Sequence, residues 1–338
     1  MRVGKRELLA RACANTQLTR LLEWMPQRRV LMILNYHRIG DATETPYDSG
    51  VFSATAEELD AHILYFKRRF RVATLQEALA MISGDGPPGA NVLITFDDGY
   101  IDNYRLAFPV LRSHGVQGTF FLPTAFVGTG HLPWWDVISY IVKQSRKQFI
   151  RLSYPEPMAF DLGAHGVRWT IDQILRLYKQ PTMKDHERFC AQLETACGAS
   201  RPQGKIERCF MSWEEAREMQ RAGMAFGSHT HKHQILTTLA LEQQREEFRL
   251  SREILEYQLG TRIDVLAYPV GTRHTFSAES IQELKKTGYR AAFSFYGGLN
   301  RPGEIQPFDM HRNGVSDQSY SRLRLQTTLG AVTASRWF

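Results

Sequence analysis

The sequence has few cysteines and no long hydrophobic run, and both absences narrow what the protein can be. Its 338 residues include four cysteines, none in a C-x-x-C pair: Cys13, Cys190, Cys197 and Cys209. Cys190 and Cys197 are too far apart in sequence for a zinc knuckle, so the four indicate reduced structural thiols in a cytoplasmic protein. No apolar run reaches about 18 residues, which predicts no transmembrane helix. The basic N-terminus lacks the apolar segment of a signal peptide, so we expect a cytoplasmic location, at most peripheral to a membrane.

Most of the net charge of the sequence lies in one segment. The formal net charge is +7, and residues 1–29 hold seven basic against two acidic residues, so they contribute +5 and the rest only +2. A basic arm on a nearly neutral body does not predict a nucleic-acid partner. In this arm, residues 1–29, four apolar residues fall on one helical face: Leu18, Leu21, Leu22 and Met25. Such a helix either docks on the domain or rests on an anionic membrane surface.

Short apolar segments alternate with helical patterns along most of the chain, which predicts a mostly parallel sheet. The strand candidates include 31–36, 92–96, 118–122, 224–228, 265–268 and 291–295. About eight such units favour an α/β fold, a (β/α) barrel of seven to eight parallel strands over residues 30–315. The pattern weakens at 131–208, where we expect a helical insertion or lid, and 316–338 is left as a C-terminal tail.

One strand candidate ends at two adjacent carboxylates. Val92–Phe96 is an apolar, β-prone run, and Asp97, Asp98 and Gly99 follow it directly. Two neighbouring carboxylates cannot both be buried as anions without a compensating cation. In a parallel barrel the carboxyl ends of all strands meet on one face, so a distant part of the sequence can provide that cation.

Histidines after another strand candidate can hold the cation as a bound metal ion. His229 and His233 lie four residues apart, and a helical turn would place both imidazoles on one face. With a carboxylate from Asp97 or Asp98 they make a set of two histidines and one aspartate, which leaves positions open for water as catalytic metal sites do. His231 is the rival ligand, because an extended chain would put it on the same face as His229. We favour His229 with His233.

These motifs resemble, in their order along the chain, the signature motifs of the polysaccharide deacetylase superfamily. Three segments carry the resemblance: T-F-D-D-G at 95–99, H-T-x-x-H at 229–233 and A-Y-P-V-G at 267–271. Four more resemble a subgroup found among bacterial exopolysaccharide and surface-glycan proteins: N-Y-H-R at 35–38, D-N-Y at 102–104, T-F-F-L-P-T at 119–124 and W-W-D at 134–136. The resemblance covers about residues 30–315. It implies a distorted (β/α) barrel that removes N-acetyl or O-acetyl groups from carbohydrate.

The resemblance also implies roles for individual residues. Asp98, His229 and His233 would bind a divalent metal ion, with zinc (Zn²⁺) preferred and Co²⁺, Ni²⁺ or Mn²⁺ as alternatives. Asp97 would be the general base that takes the proton of the attacking water. The backbone N–H of Val270, which follows the motif proline, would donate to the tetrahedral oxyanion.

Two positions depart from the family pattern. The motif often has an arginine two residues before the proline, where it orients the base, but this chain has Ala267 there. Arg38, Arg273 or Arg312 could supply the guanidinium instead, and we favour Arg312. Val270 replaces the usual aromatic residue, which removes a ring from the substrate groove but leaves the backbone N–H.

The general acid and the substrate groove are marked less clearly. The family often uses a histidine near the last barrel strand as the acid that protonates the leaving amine, and His311 fits that location. His37, at the end of the first strand, is the alternative, as acid or substrate contact. Because sugars stack on aromatic faces, we assign the groove to residues near strand ends: Tyr100, Trp134, Trp135, Tyr268 and Pro269. Trp135 fits core packing equally well.

The sequence therefore predicts a metal-dependent hydrolase that removes acetyl groups from an N-acetylated sugar. The expected substrate partner is a bacterial polysaccharide or a lipid-linked glycan precursor, and no nucleic acid. One alternative is a related hydrolase of a non-peptide C–N bond in a non-sugar substrate, since fold does not fix substrate. Another is a catalytically silent glycan-binding protein. The four intact motif residues argue against the silent protein, whereas the missing motif arginine favours it.

Overall fold

The computed structural model describes residues 5–43, 45–203, 207–315 and 319–334. Its strands are β1 Val30–Tyr36, β2 Arg38–Ile39, β3 Phe52–Ala54, β4 Arg71–Val72, β5 Ala90–Asp97, β6 Thr119–Leu122, β7 Phe149–Leu152, β8 Met158–Asp161, β9 Ala225–Ser228, β10 Val265–Ala267, β11 Ala291–Ser294 and β12 Met310–Gly314. Its α-helices are α1 Lys5–Asn15, α2 Leu18–Glu23, α3 Ala56–Arg69, α4 Leu75–Ala80, α5 Phe108–His114, α6 Trp134–Lys143, α7 Leu162–His165, α8 Val167–Tyr178, α9 His186–Cys197, α10 Trp213–Arg221, α11 Leu241–Leu259, α12 Ala278–Lys286 and α13 Tyr320–Thr333. Short 3₁₀ turns at Ser49–Val51, Met81–Ser83 and Leu236–Thr238 and a π-helical turn at Asn103–Ala107 complete the elements.

Seven parallel strands close into a barrel, which confirms the fold class predicted from the sequence. The strands follow the order β1, β12, β11, β10, β9, β6 and β5. β5 pairs back with β1, from Val30 with Ala90 to Tyr36 with Phe96. β4 pairs only with the start of β5, and β6 pairs with its end. Since the barrel pairings are parallel, the carboxyl ends of all seven strands lie at one end of the barrel.

Alternation along the strands decides which side chains enter the barrel. The interior is filled by an apolar cluster that includes Leu31, Ile33, Leu93, Phe121, Phe293 and Met310, with α4 packed against it. Asn35, Asp97 and Arg312 continue the same rows two or four residues further along, and all three are buried. The apolar interior is therefore capped by a polar layer at the carboxyl ends of the strands.

The segment predicted as a helical insertion, 131–208, contains α6 to α9 and an antiparallel hairpin of β7 and β8. It has its own apolar cluster, which includes Trp134, Trp135, Ile174 and Phe189. The sequence predicts helices near 136–147, 171–180 and 184–197 and one strand near 149–153. It does not predict β8, because Met158–Asp161 is short and has a single buried residue.

The two ends of the described chain pack on each other. α1 and α2 contact α13, and Ala10, Cys13 and Leu325 form a small buried cluster there. The sequence shows no apolar face in α13, which lies in the predicted tail. Its buried residues surround the helix: Leu323, Leu325, Gln326, Thr327, Thr328, Gly330 and Ala331. A helix covered on several sides has no single apolar stripe to reveal it. Residues 316–318 and 335–338 of the tail, and Arg2 of the arm, lie outside the described residues.

Helix ends follow the sequence signals closely. At the start of α10 the Ser212 hydroxyl accepts from the Glu215 N–H, and the Glu215 carboxylate accepts from the Ser212 N–H, as the S-x-x-E pattern predicts. α11 ends at Gly260 with a φ of +62°, the left-handed conformation that glycine tolerates. Among the described helices, none is both long and apolar enough to cross a lipid bilayer.

Candidate active site

The turn that follows β5 carries the first candidate residues. Asp97 is the last residue of β5, Asp98 has a φ of +73° and Gly99 a φ of +68°. A left-handed backbone costs a residue with a Cβ about 1–2 kcal/mol. Within the described residues six non-glycine residues have a positive φ, and four of them lie near this turn: Asp98, Thr230, His233 and Val270. Backbone strain that clusters in this way is typical of functional sites.

Asp98, His229 and His233 bring ligand atoms to one point. Asp98 Oδ1 lies 3.6 Å from His229 Nε2 and 3.5 Å from His233 Nε2. One ligand atom from each residue lies within 4.8 Å of the others, and all three side chains are buried. The structure thus assembles the ligand set that the sequence motifs predicted.

A loop, and not a helical turn, brings the two histidines together. Thr230 and His233 have φ values of +65° and +53°, and the Thr230 hydroxyl accepts from the His233 N–H at 3.2 Å. The predicted helical turn is therefore wrong, although His229 and His233 do lie together beside Asp98. The rival ligand His231 points elsewhere, with its Nδ1 2.8 Å from the Thr124 hydroxyl.

A hydrogen bond selects the tautomer of His229. Its Nδ1 lies 2.7 Å from the carbonyl oxygen of Ala267. A carbonyl can only accept, so Nδ1 carries the proton and Nε2 keeps its lone pair toward Asp98. This is the arrangement that metal-binding histidines usually have. Burial also lowers the pKa values of His229 and His233, which favours the neutral form of both imidazoles.

The cluster fits a divalent cation. Asp98 Oδ1 is buried and has no hydrogen-bond partner among the described residues. Burial, followed by the charges of Asp97 and Asp136, raises the pKa of Asp98 well above its usual range. An adjacent cation reverses this penalty and satisfies the orphaned oxygen. Two imidazole nitrogens and one carboxylate oxygen suit zinc and similar transition metals.

Arg312 holds Asp97 through two parallel hydrogen bonds. Its Nη1 donates to Asp97 Oδ1 at 2.7 Å and its Nη2 to Oδ2 at 2.9 Å. Burial alone would raise the pKa of Asp97, but the charge of Arg312 outweighs it and holds that pKa far below the usual range. The other arginine candidates lie elsewhere. Arg38 bonds Asp102 at 2.8 Å, and Arg273 lies over the Tyr296 ring.

Asn35 completes the support of Asp97, and we did not identify it from the sequence. Its amide donates to Asp97 Oδ2 at 3.0 Å. Its carbonyl oxygen accepts from Arg312 Nη1 at 2.9 Å and from the Thr95 hydroxyl at 2.7 Å. The signal was available, because Asn35 opens the N-Y-H-R motif and the alternation of β1 turns it inward.

His37 lies at the site and His311 does not, which corrects the location that we expected for His311. His37 Nε2 is 3.9 Å from Asp97 Oδ2, and its ring packs on Phe295. Burial lowers the pKa of His37 to about 4, against the opposing charge of Asp97. His311 is the neighbour of the inward Arg312 on β12, so it faces the other way. It packs on Tyr296 and lines a separate cavity.

Trp134 and Trp135 reach the site pocket, as predicted for groove residues. The Trp135 ring lies 4.5 Å from the His233 ring, and Trp134 stacks on Tyr178. Both indoles are largely buried. They therefore combine the two roles that the sequence left open for Trp135, packing and pocket wall.

Tyr100, Tyr268 and Pro269 are not groove residues, and these predictions are wrong. Tyr100 is fully buried, donates to Asp136 Oδ2 at 2.9 Å and accepts from Trp135 Nε1 at 2.7 Å. Tyr268 is fully buried and donates to the Phe308 carbonyl. Pro269 is buried as well. Tyr100 acts on the site indirectly, because it anchors Trp135.

Val270 lies on the pocket wall in a tight turn after β10. Its φ is +60°, and the Gly271 N–H bonds back to the Pro269 carbonyl at 2.6 Å. A Cβ on Gly271 would lie 2.8 Å from the backbone nitrogen of Phe295. Only glycine fits there, so the close approach of Phe295 helps to hold the Val270 turn.

A pocket of about 280 Å³ lies at the centre of the site. Its wall includes His37, Asp97, Asp98, His229, His233 and Val270. Several wall residues have no motif and were not identified from the sequence: Asp48, Val51, Leu175, Lys179, Thr272 and Phe295. Leu175 belongs to α8, and Lys179 is the first residue after the end of α8. The insertion therefore forms part of the wall. Arg168 bridges both Asp48 and Asp172. Lys179 is in none of the salt bridges among described residues, and its ammonium lies 5.7 Å from the Trp134 ring centroid.

Comparison with known proteins agrees with this geometry. A family model described as polysaccharide deacetylase matches residues 84–204 and 158–292, which together make up more than half of the chain. YxkH of Bacillus subtilis, a proposed polysaccharide deacetylase, is 23% identical over 294 residues, or 85% of this chain and 71% of that protein.

Solved structures share the fold at low sequence identity. IcaB from Ammonifex degensii has a TM-score of 0.59 at 21% identity, covering 89% of this chain and 98% of that one. The Streptococcus pyogenes deacetylase PplD, solved in complex with acetate, has a TM-score of 0.57 at 16% identity, covering 88% of this chain and 98% of that one.

Proposed function

The chain belongs to the polysaccharide deacetylase family, and from this premise we propose that it is a metal-dependent hydrolase that releases acetate from an N-acetylated sugar. The substrate we propose is a bacterial polysaccharide or a lipid-linked glycan precursor. One observation carries the proposal: the Asp97–Arg312 ion pair adjoins the cluster of Asp98, His229 and His233. His229 Nε2 lies 3.7 Å from Asp97 Oδ2 on the wall of the same pocket.

Asp98, His229 and His233 would hold the divalent ion, for which zinc is our first choice. When bound, such an ion supplies Lewis acidity: it lowers the pKa of water and draws electron density from the acetyl carbonyl. Arg312 keeps Asp97 ionised, so the carboxylate is a weak base toward bulk water. The Asp97 carboxylate suits a water molecule whose pKa a bound ion would lower.

The remaining groups divide the proton transfers of amide hydrolysis. Asp97 accepts a proton from water as the oxygen forms its bond to the acetyl carbon, and Arg312 and Asn35 hold the carboxylate in place. The Val270 N–H donates to the carbonyl oxygen as it gains negative charge. His37 takes up a proton from solvent and gives it to the sugar nitrogen as the C–N bond breaks, and its lowered pKa makes the protonated imidazole a strong donor. The products are acetate and a free amino sugar.

The test measures metal content and acetate release after metal loading, with oligomers of N-acetylglucosamine as probes. We expect Asp97→Asn to keep the metal and lose activity by roughly 10²–10⁴-fold, the usual contribution of a general base. His233→Ala should lose both metal and activity. His231→Ala is the matched control: its side chain lies two positions from both ligands but bonds Thr124, and it should keep both.

Absence of divalent metal in the wild type after loading would refute metal dependence. Metal without acetate release from any N-acetylated sugar would refute the glycan substrate and favour hydrolysis of another C–N bond.

A further inference from the structure

Helices α1 and α2 show one apolar face to the protein and another to solvent. The inner face includes Ala10 and Cys13, which are buried in a cluster with Leu325 of α13. The exposed apolar side chains of α1, α2 and the two residues after α2, which we call the outer face, are Leu8, Leu9, Leu18, Leu21, Trp24 and Met25. Trp24 is 90% exposed and Leu21 is 65% exposed. Docking on the domain therefore leaves a second apolar face uncovered by the described residues.

The structure divides the apolar stripe seen in the sequence. Of the four residues predicted on one helical face, Leu22 packs toward the inner cluster. Leu18, Leu21 and Met25 remain exposed. The two interpretations left open by the sequence, docking and membrane contact, are thus not exclusive, because different side chains serve each.

Exposed apolar residues are concentrated in this segment. Fifteen large hydrophobic side chains of the described residues are exposed, and six of them lie within residues 8–25. α1 and α2 also contact each other. Scattered surface hydrophobes are normal, but a group of this kind marks a site of interaction.

The charges around this face identify the partner. Six basic residues within residues 5–29 are exposed: Lys5, Arg6, Arg11, Arg20, Arg28 and Arg29. Both nearby acids are already paired, Glu7 with Arg11 at 2.9 Å and Glu23 with Arg324 at 2.8 Å. Most of the positive charge is therefore uncompensated. A second copy of this face would bring the same charge, and like charges oppose that pairing.

We propose that α1 and α2 rest on the surface of an anionic lipid bilayer. Leu and Trp side chains would enter the boundary between headgroups and acyl chains, while the basic side chains meet lipid phosphates. α13 would act as the rigid base, because it joins both helices to the barrel wall. This inference is independent of the proposed hydrolase activity.

The test is co-sedimentation of the full chain with vesicles. We expect binding to phosphatidylcholine vesicles that contain about a quarter phosphatidylglycerol, and much weaker binding to pure phosphatidylcholine. The double variant Leu21→Ala/Trp24→Ala should bind at least about tenfold more weakly, since it loses two large apolar side chains. Tyr257→Ala is the matched control, an aromatic side chain that is 85% exposed on α11, and it should bind like the wild type.

Two further variants separate the contribution of the basic side chains to vesicle binding from that of Trp24. Arg6→Gln/Arg20→Gln should weaken binding to the anionic vesicles and reduce its salt dependence. Trp24→Phe should keep binding but lose most of the blue shift in tryptophan fluorescence that vesicles induce. All variants should keep the wild-type circular dichroism spectrum, because the substituted side chains are exposed.

Failure of the wild type to bind anionic vesicles would overturn the proposal, as would equal binding by the Leu21→Ala/Trp24→Ala variant. So would a dimer in solution that this variant dissociates while vesicle binding stays unchanged, because the face would then belong to a second copy.

Discussion

At the scale of single residues, Arg312 holds the Asp97 carboxylate in place. The guanidinium is fully buried and also donates to the Ser294 carbonyl and the Asn35 side chain. A buried ion pair is costly unless its hydrogen bonds are satisfied, and here nearly all of them are. In the proposed mechanism the pair orients the base, as the motif arginine would from the position of Ala267.

Arg312→Lys should lower kcat while metal binding persists. Lysine keeps the charge but loses the planar fork that holds both Asp97 oxygens. Loss of charge-assisted hydrogen bonds predicts a fall of roughly tenfold to a hundredfold in kcat. Steady-state acetate release and metal content check this, and an unchanged kcat would show that Arg312 does not position the base.

The same variant should move the acid limb of the pH–rate profile to higher pH. Activity needs the Asp97 carboxylate, and its folded pKa is lowered by Arg312. The stability that this pair contributes is present above the unfolded pKa of about 3.9 and is lost as pH falls through the folded value. A weaker pairing raises the folded pKa, so both activity and stability should fail at higher pH than in the wild type.

His37→Ala and His311→Ala test the choice of general acid. His37→Ala should reduce kcat by roughly 10²-fold or more, the contribution usual for proton transfer. His311→Ala should leave it nearly unchanged, because this side chain faces a separate cavity. A substrate whose leaving group needs no proton should rescue His37→Ala, and the opposite ranking of the two variants would restore His311 as the acid.

At the scale of elements, short turns after the strands place the reactive groups. β5, β9 and β10 each end in a turn with a positive φ at a non-glycine residue: Asp98, Thr230 and Val270. The strands provide rigid starting points, and the strained turns place Asp98, the loop of His229 and His233, and Val270 on the pocket wall. Pocket geometry therefore depends on these turns as much as on the named side chains.

Gly271→Ala should destabilise the Val270 turn by more than the cost of a left-handed backbone alone. An added Cβ would meet Phe295 at 2.8 Å at a φ of +64°, so overpacking of about 1–3 kcal/mol is added to the cost of the left-handed backbone. The melting temperature and kcat should both fall. Gly89→Ala is the control, because its φ is +71° but no atom of the described residues lies within 4 Å of the new Cβ. Equal losses in the two variants would exclude a specific role for the Phe295 contact.

Lys179→Met tests the contribution of the insertion to the pocket. The ammonium lies on the wall near Trp134, so we expect a higher KM for acetylated sugars that carry a carboxylate or phosphate, with kcat unchanged. An exposed ion pair predicts a change of roughly twofold to fivefold. Arg176→Met, which removes a charge from the last turn of α8 outside the pocket, is the control. A fall in kcat for neutral substrates would contradict a role in binding alone.

At the scale of the whole molecule, the barrel joins residues that are far apart in sequence. Asn35, Asp97, His229 and Arg312 come from four different βα units, and the closed barrel brings them together, because β12 pairs with β1 and β5 closes back on β1. Metal binding should therefore be coupled to the stability of the entire fold.

Zinc should raise the melting temperature, and the gain should grow as pH rises above the unfolded carboxyl pKa of about 3.9. Burial raises the pKa of Asp98, so the metal-free fold loses stability as pH rises and Asp98 ionises. An adjacent cation removes that loss. Differential scanning calorimetry with zinc or a chelator measures the effect, and Asp98→Asn should show little gain at any pH. A gain in the wild type that is independent of pH would contradict this account of Asp98.

Much of the fold and part of the site could be predicted from sequence. Apolar runs that end at polar motifs identified β1, β5, β6, β9, β10 and β11, and the motif spacing identified Asp97, Asp98, His229 and His233. β8 and α13 escaped prediction because neither shows a clean period. Tyr100 and Tyr268 were misassigned because burial depends on which elements pack over them.

The sequence by itself determined the alternation of elements, the ligand motifs and the basic, apolar character of residues 1–29. These properties are local: a period, a strand end or a charge count is complete within a short segment. Only the tertiary structure decided between Arg38, Arg273 and Arg312 as the partner of Asp97, and between His37 and His311 as the residue near it. The reason is physical, since adjacent residues of a strand face opposite sides, and barrel closure decides which of them meet.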